Sequence, residues 1–434
     1  MIPTQLIDLK TPVDRALLVA APGRTTSRDL ADDHLLELGR LTDTAGGTVV
    51  GTLVQRVDAP NPRYYVGEGK ARELSELVEE REANLVIFDD ELSPAQGKNL
   101  EELLGVRVMD RSELILDIFA TRARSSESRM QVELAQLQYL LPRLRRMWSH
   151  LSRIRGGIGL RGPGETQLET DRRLVGLRIR DLRRRLEGVA KARAIQRRAR
   201  EGSFRVALVG YTNAGKSSLL RALSGSDLFV EDRLFATLDS ATRSVDLGSG
   251  YEALLTDTVG FIRKLPHHLV ASFRSTLEEA RASDVLLHVI DASHPDWEEQ
   301  REVVLEVLGE LGLMDHDKIL VFNKIDRLTS SDLESLQMRV RALESTPAVF
   351  VAAHDPSTLE ALRETLRARV QSRYARVVMS IPFTDGEALA TVYREGEVMA
   401  RSDEPQHVSL TARVPQGLLG RLKEREGIVV EEVA

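Results

Sequence analysis

The sequence predicts a multidomain α/β protein, and three observations carry that reading. Apolar runs alternate with helical patterns over the first 121 residues. Two heptad-spaced apolar seams follow, and then a strand, a glycine loop and a helix at residues 204–220. Alternation of strand and helix implies a parallel sheet, and paired seams imply helices that pack on each other. The expected order is an N-terminal α/β domain (1–121), a basic antiparallel helical hairpin (122–202), a P-loop domain with a mostly parallel sheet (203–373) and a small α+β domain (374–434).

The 434 residues suffice for about three domains. The chain has no cysteine, which excludes a disulfide framework and a cysteine metal site and favours a reducing compartment. Residues 1–24 hold no signal-type apolar stretch, and no apolar run reaches the roughly 18 residues of a membrane span. The expected location is the cytoplasm, with no transmembrane segment. Net charge is −6, but residues 143–200 carry 18 Lys+Arg against 5 Asp+Glu, a local excess of +13 on an acidic remainder. A basic arm on an acidic body predicts a polyanion partner.

In the first segment, 15–20, 48–54, 84–88 and 106–109 read as strands, and 68–80 and 93–104 as helices. Tyr65-Val66-Gly67-Glu68-Gly69-Lys70 has the outline of a glycine loop with a lysine. It matches no complete phosphate fingerprint, so a tight βα turn is the stronger reading.

The hairpin is read from its spacing. Met130, Leu134, Leu137, Leu141, Leu144, Trp148 and Leu151 recur at steps of 4 and 3, as do Val175, Ile179, Leu182, Leu186 and Val189. Pro142 should kink the first helix. The connection, residues 155–165, holds five glycines with Arg155 and Arg161 near its ends. Such a tip can approach another surface closely and clamp phosphates.

The nucleotide motifs come in a fixed order. Gly210-Tyr211-Thr212-Asn213-Ala214-Gly215-Lys216-Ser217 follows a β-rich run and opens a helix, the context a phosphate loop requires. Its glycines let backbone N–H groups turn inward, and the helix start adds partial positive charge. Lys216 is expected on the β- and γ-phosphates and the Ser217 hydroxyl on Mg²⁺. Asp257-Thr258-Val259-Gly260 ends a second strand, where Asp257 would hold Mg²⁺ through water and the Gly260 N–H would sense the γ-phosphate. Between them, in Leu234-Phe235-Ala236-Thr237-Leu238-Asp239, Thr237 is the natural switch threonine, closing on Mg²⁺.

Asn323-Lys324-Ile325-Asp326 identifies the base. A carboxylate at Asp326 accepts from guanine N1–H and the exocyclic amino group, neither of which adenine offers on that edge. Val351-Ala352-Ala353 would supply a backbone N–H to guanine O6, with Ala352 where a serine is usual. Phe261 stands where Ras-like enzymes place a water-orienting glutamine. Slow intrinsic hydrolysis is therefore expected, with the missing group coming from a partner or from Arg263, Lys264 or His267. Asn213 resembles a position used by GTPases that hold a monovalent cation, so K⁺ is a further expectation. In the last segment, 377–383 and 408–414 read as strands and 385–393 and 417–424 as helices.

With these residues in view, the chain resembles the HflX family over nearly its full length. Residues 156–173, beginning Gly156-Gly157-Ile158-Gly159-Leu160-Arg161-Gly162-Pro163-Gly164-Glu165, look like that family's signature. The loop at 210–217, the 257–261 stretch and residues 65–70 also match. Ser240, where similar proteins usually have proline, and Ala352 depart from the pattern. The resemblance implies a ferredoxin-like C-terminal domain and a GTPase using GTP/GDP and Mg²⁺. It further implies binding to the ribosome, chiefly the large subunit and its RNA, to split or rescue stalled ribosomes under stress. It also implies that the glycine-arginine tip probes the catalytic centre of the large subunit. Residues 210–217, 235–239, 257–260, 323–326 and 351–353 become nucleotide contacts, and Ser217 and Thr237 metal ligands. A monomer without a DNA partner is expected. Two other functions compete: an RNA-remodelling ATPase with a second site around Lys70, and a passive RNA scaffold whose nucleotide is structural.

Overall fold

The computed structural model describes residues 13–24, 26–144, 163–198, 203–227, 231–265 and 274–433. The chain divides into two compact units. One comprises Met1–Val189 with Asp232–Leu238 and Lys264–Arg274; the other comprises Ala190–Glu231, Asp239–Arg263 and Ser275–Ala434.

In the first unit, Arg15–Ala20 (β1), Thr48–Val54 (β2), Leu85–Phe88 (β3) and Arg107–Asp110 (β4) form a parallel sheet in the order β2-β1-β3-β4. The central strands are uninterrupted apolar runs because helices cover both faces. Helix Pro94–Leu104 starts with a reciprocal capping box between Ser93 and Gln96. Two helices, Arg28–Thr44 and Arg111–Arg122, were not expected. The second follows β4 without a break, since Asp110 ends the strand and its side chain caps the helix by accepting from the Glu113 N–H.

The glycine loop at 65–70 is a tight turn. The Gly67 N–H donates to Gln55 Oε1 at 2.8 Å, and Lys70 pairs with Glu73 at 2.8 Å. Both groups that a phosphate would need are thus engaged locally.

The hairpin forms as its spacing predicts. Helix Ser126–Leu140 ends in a 3₁₀ turn, Leu141–Arg143, at Pro142, which has no N–H to continue the α ladder. Leu134, Ile179 and Leu182 centre the seam, flanked by Met130, Leu137, Leu141, Val175 and Leu186. The returning helix is Pro163–Arg198. Seam residues Trp148 and Leu151 and tip residues 155–162 lie outside the described residues. Arg143, counted in the basic arm, is buried. It stacks 3.6 Å from the Tyr139 ring centroid and donates to the Leu92 carbonyl (2.8 Å) and Asp110 Oδ2 (3.2 Å).

The second unit holds two sheets. Phe204–Gly210 (β5), Ala241–Gly248 (β6), Tyr251–Asp257 (β7), Val285–Asp291 (β8), Lys318–Asn323 (β9) and Ala348–Phe350 (β10) run in the order β10-β9-β8-β5-β7-β6. All pairs are parallel except β6–β7. Tyr374–Pro382 (β11), Glu397–Asp403 (β12), His407–Pro415 (β13) and Val429–Glu432 (β14) form an antiparallel sheet in the order β12-β13-β11-β14. With helices after β11 and β13, this is the ferredoxin-like arrangement that the resemblance implied. β13 alternates buried and half-buried residues because only one face carries helices. Among the described residues, no helix is long and apolar enough to cross a membrane.

His288 is the polar residue in the run of buried β8 positions. Burial, then Arg301, Lys216 and Lys318, push its imidazole down to about 3. Its folded value lies below the unfolded one, so protonation favours unfolding. The stability it contributes is complete above roughly pH 6.5 and declines as pH falls toward 3, by about 2 kcal/mol at pH 5. Denaturant titrations from pH 7 to pH 4.5 should show this decline, and His288→Leu should flatten it. Parallel profiles for the two proteins would contradict the assignment.

Candidate nucleotide site

The six-stranded sheet brings the C-terminal ends of β5, β7, β8, β9 and β10 to one edge, where ligands bind in open α/β sheets. Gly210 ends β5 at φ +153°, and a Cβ there would lie 2.2 Å from the Val289 carbonyl oxygen. Asn213 holds φ +61°, a left-handed conformation asparagine tolerates. Gly215, at φ +94°, precedes helix Lys216–Ser224, whose first turn has no side-chain cap. The inward N–H groups are those an anion would satisfy.

Lys216 is buried beneath the loop. Its Nζ donates to the carbonyls of Gly210 (3.1 Å) and Tyr211 (2.9 Å). Burial lowers its ammonium to about 8; Lys324 adds to that, and Asp257 opposes it. Ser217 Oγ donates to Asp257 Oδ2 at 2.5 Å. A hydroxyl and a carboxylate converging beside a phosphate cradle suit Mg²⁺, which takes few protein oxygens and completes its shell with phosphate and water. Consistently, no cluster of three His, Asp or Glu side chains fit to hold a metal occurs among the described residues.

The Asp257–Gly260 stretch lies against the loop. Thr258 Oγ1 donates to the Leu208 carbonyl at 2.7 Å, and Val259 is buried. A Cβ at Gly260 would stand 2.7 Å from Thr212 Cα and 3.0 Å from Lys216 Nζ, so this position has room only for glycine. Phe261 is buried and tied by backbone: its N–H donates to Gly210 O (3.1 Å), and its carbonyl accepts from the Thr212 N–H (2.6 Å).

At the base end, Asn323 is the link. It is 1 % exposed; its Nδ2 donates to Ala214 O at 2.9 Å and its Oδ1 accepts from the Ala353 N–H at 3.2 Å. A Cβ at Gly215 would lie 2.2 Å from that Nδ2. Lys324, at φ +63°, reaches Asp291 Oδ2 at 2.7 Å. The Ile325 N–H donates to Val351 O at 3.3 Å. Asp326 Oδ2 lies 3.2 Å from His354 Nε2. The Ala352 N–H donates to Thr358 Oγ1 at 2.9 Å, so in the loop at 351–353 both alanine N–H groups already serve the protein.

Residues 210–217, 257–260, 323–326 and 351–353 thus share one edge of one unit. Asp239 belongs to that unit, whereas Phe235, Ala236, Thr237 and Leu238 belong to the first. There Phe235 is buried edge-on to Phe119, ring centroids 4.7 Å apart. Of the cations near Phe261, Lys264 pairs with Asp89 at 2.9 Å and with Asp90 within the first unit. Arg263 is buried, its N–H donating to the Tyr211 hydroxyl at 2.9 Å. His267 lies outside the described residues.

Three family models match in succession: "GTP-binding GTPase N-terminal" over residues 32–120, "GTP-binding GTPase Middle Region" over 122–200, and "50S ribosome-binding GTPase" over 205–324. The chain is 44 % identical to GTPase HflX of Caldanaerobacter subterraneus, covering 96 % of this chain and 94 % of that one. GTPase HflX of Magnetococcus marinus is 44 % identical, with 96 % and 97 % covered. The Escherichia coli K12 protein of that name is 43 % identical, with 94 % and 95 % covered.

The chain belongs to the HflX GTPase family. Its reaction is GTP hydrolysis and its ligand a guanine nucleotide, as the Asn323–Asp326 motif led one to expect. Sequence reading overlooked Asp291, Thr358 and His354 in this HflX-family site. Asp291 had a readable signal, an acid at the carboxyl end of a buried parallel strand. Thr358 and His354 act through loop folding and had none.

Two outcomes follow for this HflX-family chain. Gly215→Ala should weaken GDP binding at least about 100-fold, because the methyl meets the Asn323 amide and φ is positive; near-normal affinity by fluorescent-GDP titration would refute that. Phosphate contact needs Lys216 protonated, and its free-site value is about 8. GDP affinity should therefore be flat below pH 7 and fall about fourfold between pH 7 and pH 8.5. A flat profile would show that Lys216 keeps its proton in the empty site.

Proposed function

We propose that this HflX-family GTPase is a nucleotide-gated switch in the cytoplasm. It docks on the ribosome, chiefly on the large subunit and its RNA, and helps split or rescue stalled ribosomes under stress. The observation that carries this reading is the joining of two features in one chain. The guanine-nucleotide edge is complete from Gly210 to Ala353, and the basic helix Pro163–Arg198 exposes Arg172, Arg173, Arg180, Arg183, Arg184 and Arg185. The family model over residues 205–324, described as a ribosome-binding GTPase, supports the partner.

Residues 210–217, 235–239, 257–260, 323–326 and 351–353 contact the nucleotide in this reading. Lys216 neutralises β- and γ-phosphate charge, the Gly260 N–H senses the γ-phosphate, and Thr237 closes when it is present. Ser217 and Thr237 hold Mg²⁺, which draws charge from the phosphates as the terminal P–O bond breaks. K⁺ beside Asn213 is part of the same proposal. Phe261 cannot orient water, and Lys264 is held by Asp89 and Asp90. The group that speeds hydrolysis therefore comes from the bound ribosome.

The stretch carrying Thr237 and the one beginning at Lys264 both belong to the first unit, so a change at the γ-phosphate is felt by the unit bearing the hairpin. Hydrolysis then ends docking.

Co-sedimentation with purified 50S and 30S subunits tests the proposal. Binding to 50S should be tighter with a non-hydrolysable GTP analogue than with GDP, on the order of tenfold. It should weaken steeply with salt as condensed counterions are released. Equal 50S binding with both nucleotides would overturn the switch.

A further inference from the structure

The base-reading carboxylate needs an orienting donor. Asp326 has to present both oxygens to guanine N1–H and the exocyclic amino group, yet a carboxylate turns easily about its last torsion. The usual donor for this task, a serine hydroxyl at position 352, is absent: Ala352 is buried there.

The loop from Val351 to Thr358 has few donors left. The Ala352 N–H is given to Thr358 Oγ1 and the Ala353 N–H to Asn323 Oδ1. Thr358 Oγ1 faces the carbonyls of Ala352 (3.2 Å) and Asp355 (2.8 Å). Ser357 gives its N–H (3.0 Å) and Oγ (2.7 Å) to Asp355 Oδ1. Those two bonds hold the Asp355 carboxyl below its usual range and commit it as the cap of helix Pro356–Gln371. The nearest carboxylate in sequence to His354 is thereby occupied. The Asp355 N–H closes the turn on Ala352 O at 2.9 Å, and this turn presents His354 toward Asp326. Its Nε2 stands 3.2 Å from Asp326 Oδ2, with the Asp326 side chain 31 % exposed and the His354 side chain 71 % exposed.

We propose that His354 is the positioning residue for guanine specificity in this chain, its imidazole N–H holding the Asp326 carboxylate in place of the missing hydroxyl. The inference rests on Asp326 reading the base. Neutral imidazole with the proton on Nε2 and imidazolium both donate at this atom, so the contact persists through neutral pH. The ring needs no contact with the nucleotide; it acts through Asp326.

The test uses the full-length protein with His354→Ala and His354→Gln. The probes are GDP affinity and the ratio of GTP to ITP affinity, since inosine lacks the exocyclic amino group and can use only one of the two Asp326 bonds. His354→Ala should weaken GDP about three- to tenfold, the equivalent of one net hydrogen bond. It should shrink the GTP/ITP ratio while leaving turnover at saturating GTP unchanged. His354→Gln, whose amide restores an N–H donor of similar reach, should keep most of both. An Ala variant within twofold of the parent on both measures would overturn the proposal. So would equal loss of GTP and ITP with an unchanged ratio, or equal losses in the Ala and Gln variants. A parent protein with no preference for GTP over ITP would remove the base-reading role of Asp326 itself, and the proposal with it.

Discussion

One buried amide, that of Asn323, holds the nucleotide site together. It donates to the Ala214 carbonyl in the phosphate loop and accepts from the Ala353 N–H in the guanine loop. Two loops that bind opposite ends of a nucleotide are thereby set at one spacing. An amide is suited to this, because one side chain carries both a donor and an acceptor and needs no charge in a buried place. The cost falls on the neighbour: Gly215 has to remain glycine, since any Cβ would occupy the space of the Asn323 Nδ2.

The same crowding recurs at the phosphate end. Gly210 passes under the Val289 carbonyl, and Gly260 passes over Thr212 and Lys216. Three glycines thus mark three places where backbone meets backbone or lysine within van der Waals distance. Lys216 gains its low ammonium value from that enclosure, and returns to full charge when phosphate replaces the water it has lost.

The first unit contains more than its own sequence segment. Asp232–Leu238 and Lys264–Arg274, which flank the phosphate-sensing stretches, are built into it. Phe235 packs on Phe119, and Lys264 joins an ionic chain in which Asp89 also pairs with Arg111 at 3.0 Å. Arg111 is 1 % exposed and is held on its other side by Glu37. Removing one member of such a buried chain leaves another uncompensated. A lysine read as a candidate for chemistry is therefore an anchor.

Much of this was legible from residue order. Period-2 and uninterrupted apolar runs marked β1, β3, β5, β8, β9 and β13, because each reports how many faces are covered. Seven-residue spacing marked the hairpin seam through Leu134 and Leu182. The phosphate and guanine motifs read directly, since each is a contiguous stretch whose backbone does the binding. Helix Arg111–Arg122 was hidden by its strand, as Asp110 ends one element and caps the next. By itself, the sequence determined that the chain is a multidomain α/β GTPase with a basic helical arm, because those features are local. Only the tertiary structure decided that Asn323 joins two loops 30 and 109 residues away, that Arg143 is buried, and that Lys264 belongs to an ion chain. Such pairings depend on which strand ends and turns meet in space, and the spacing of residues along a chain carries no record of that.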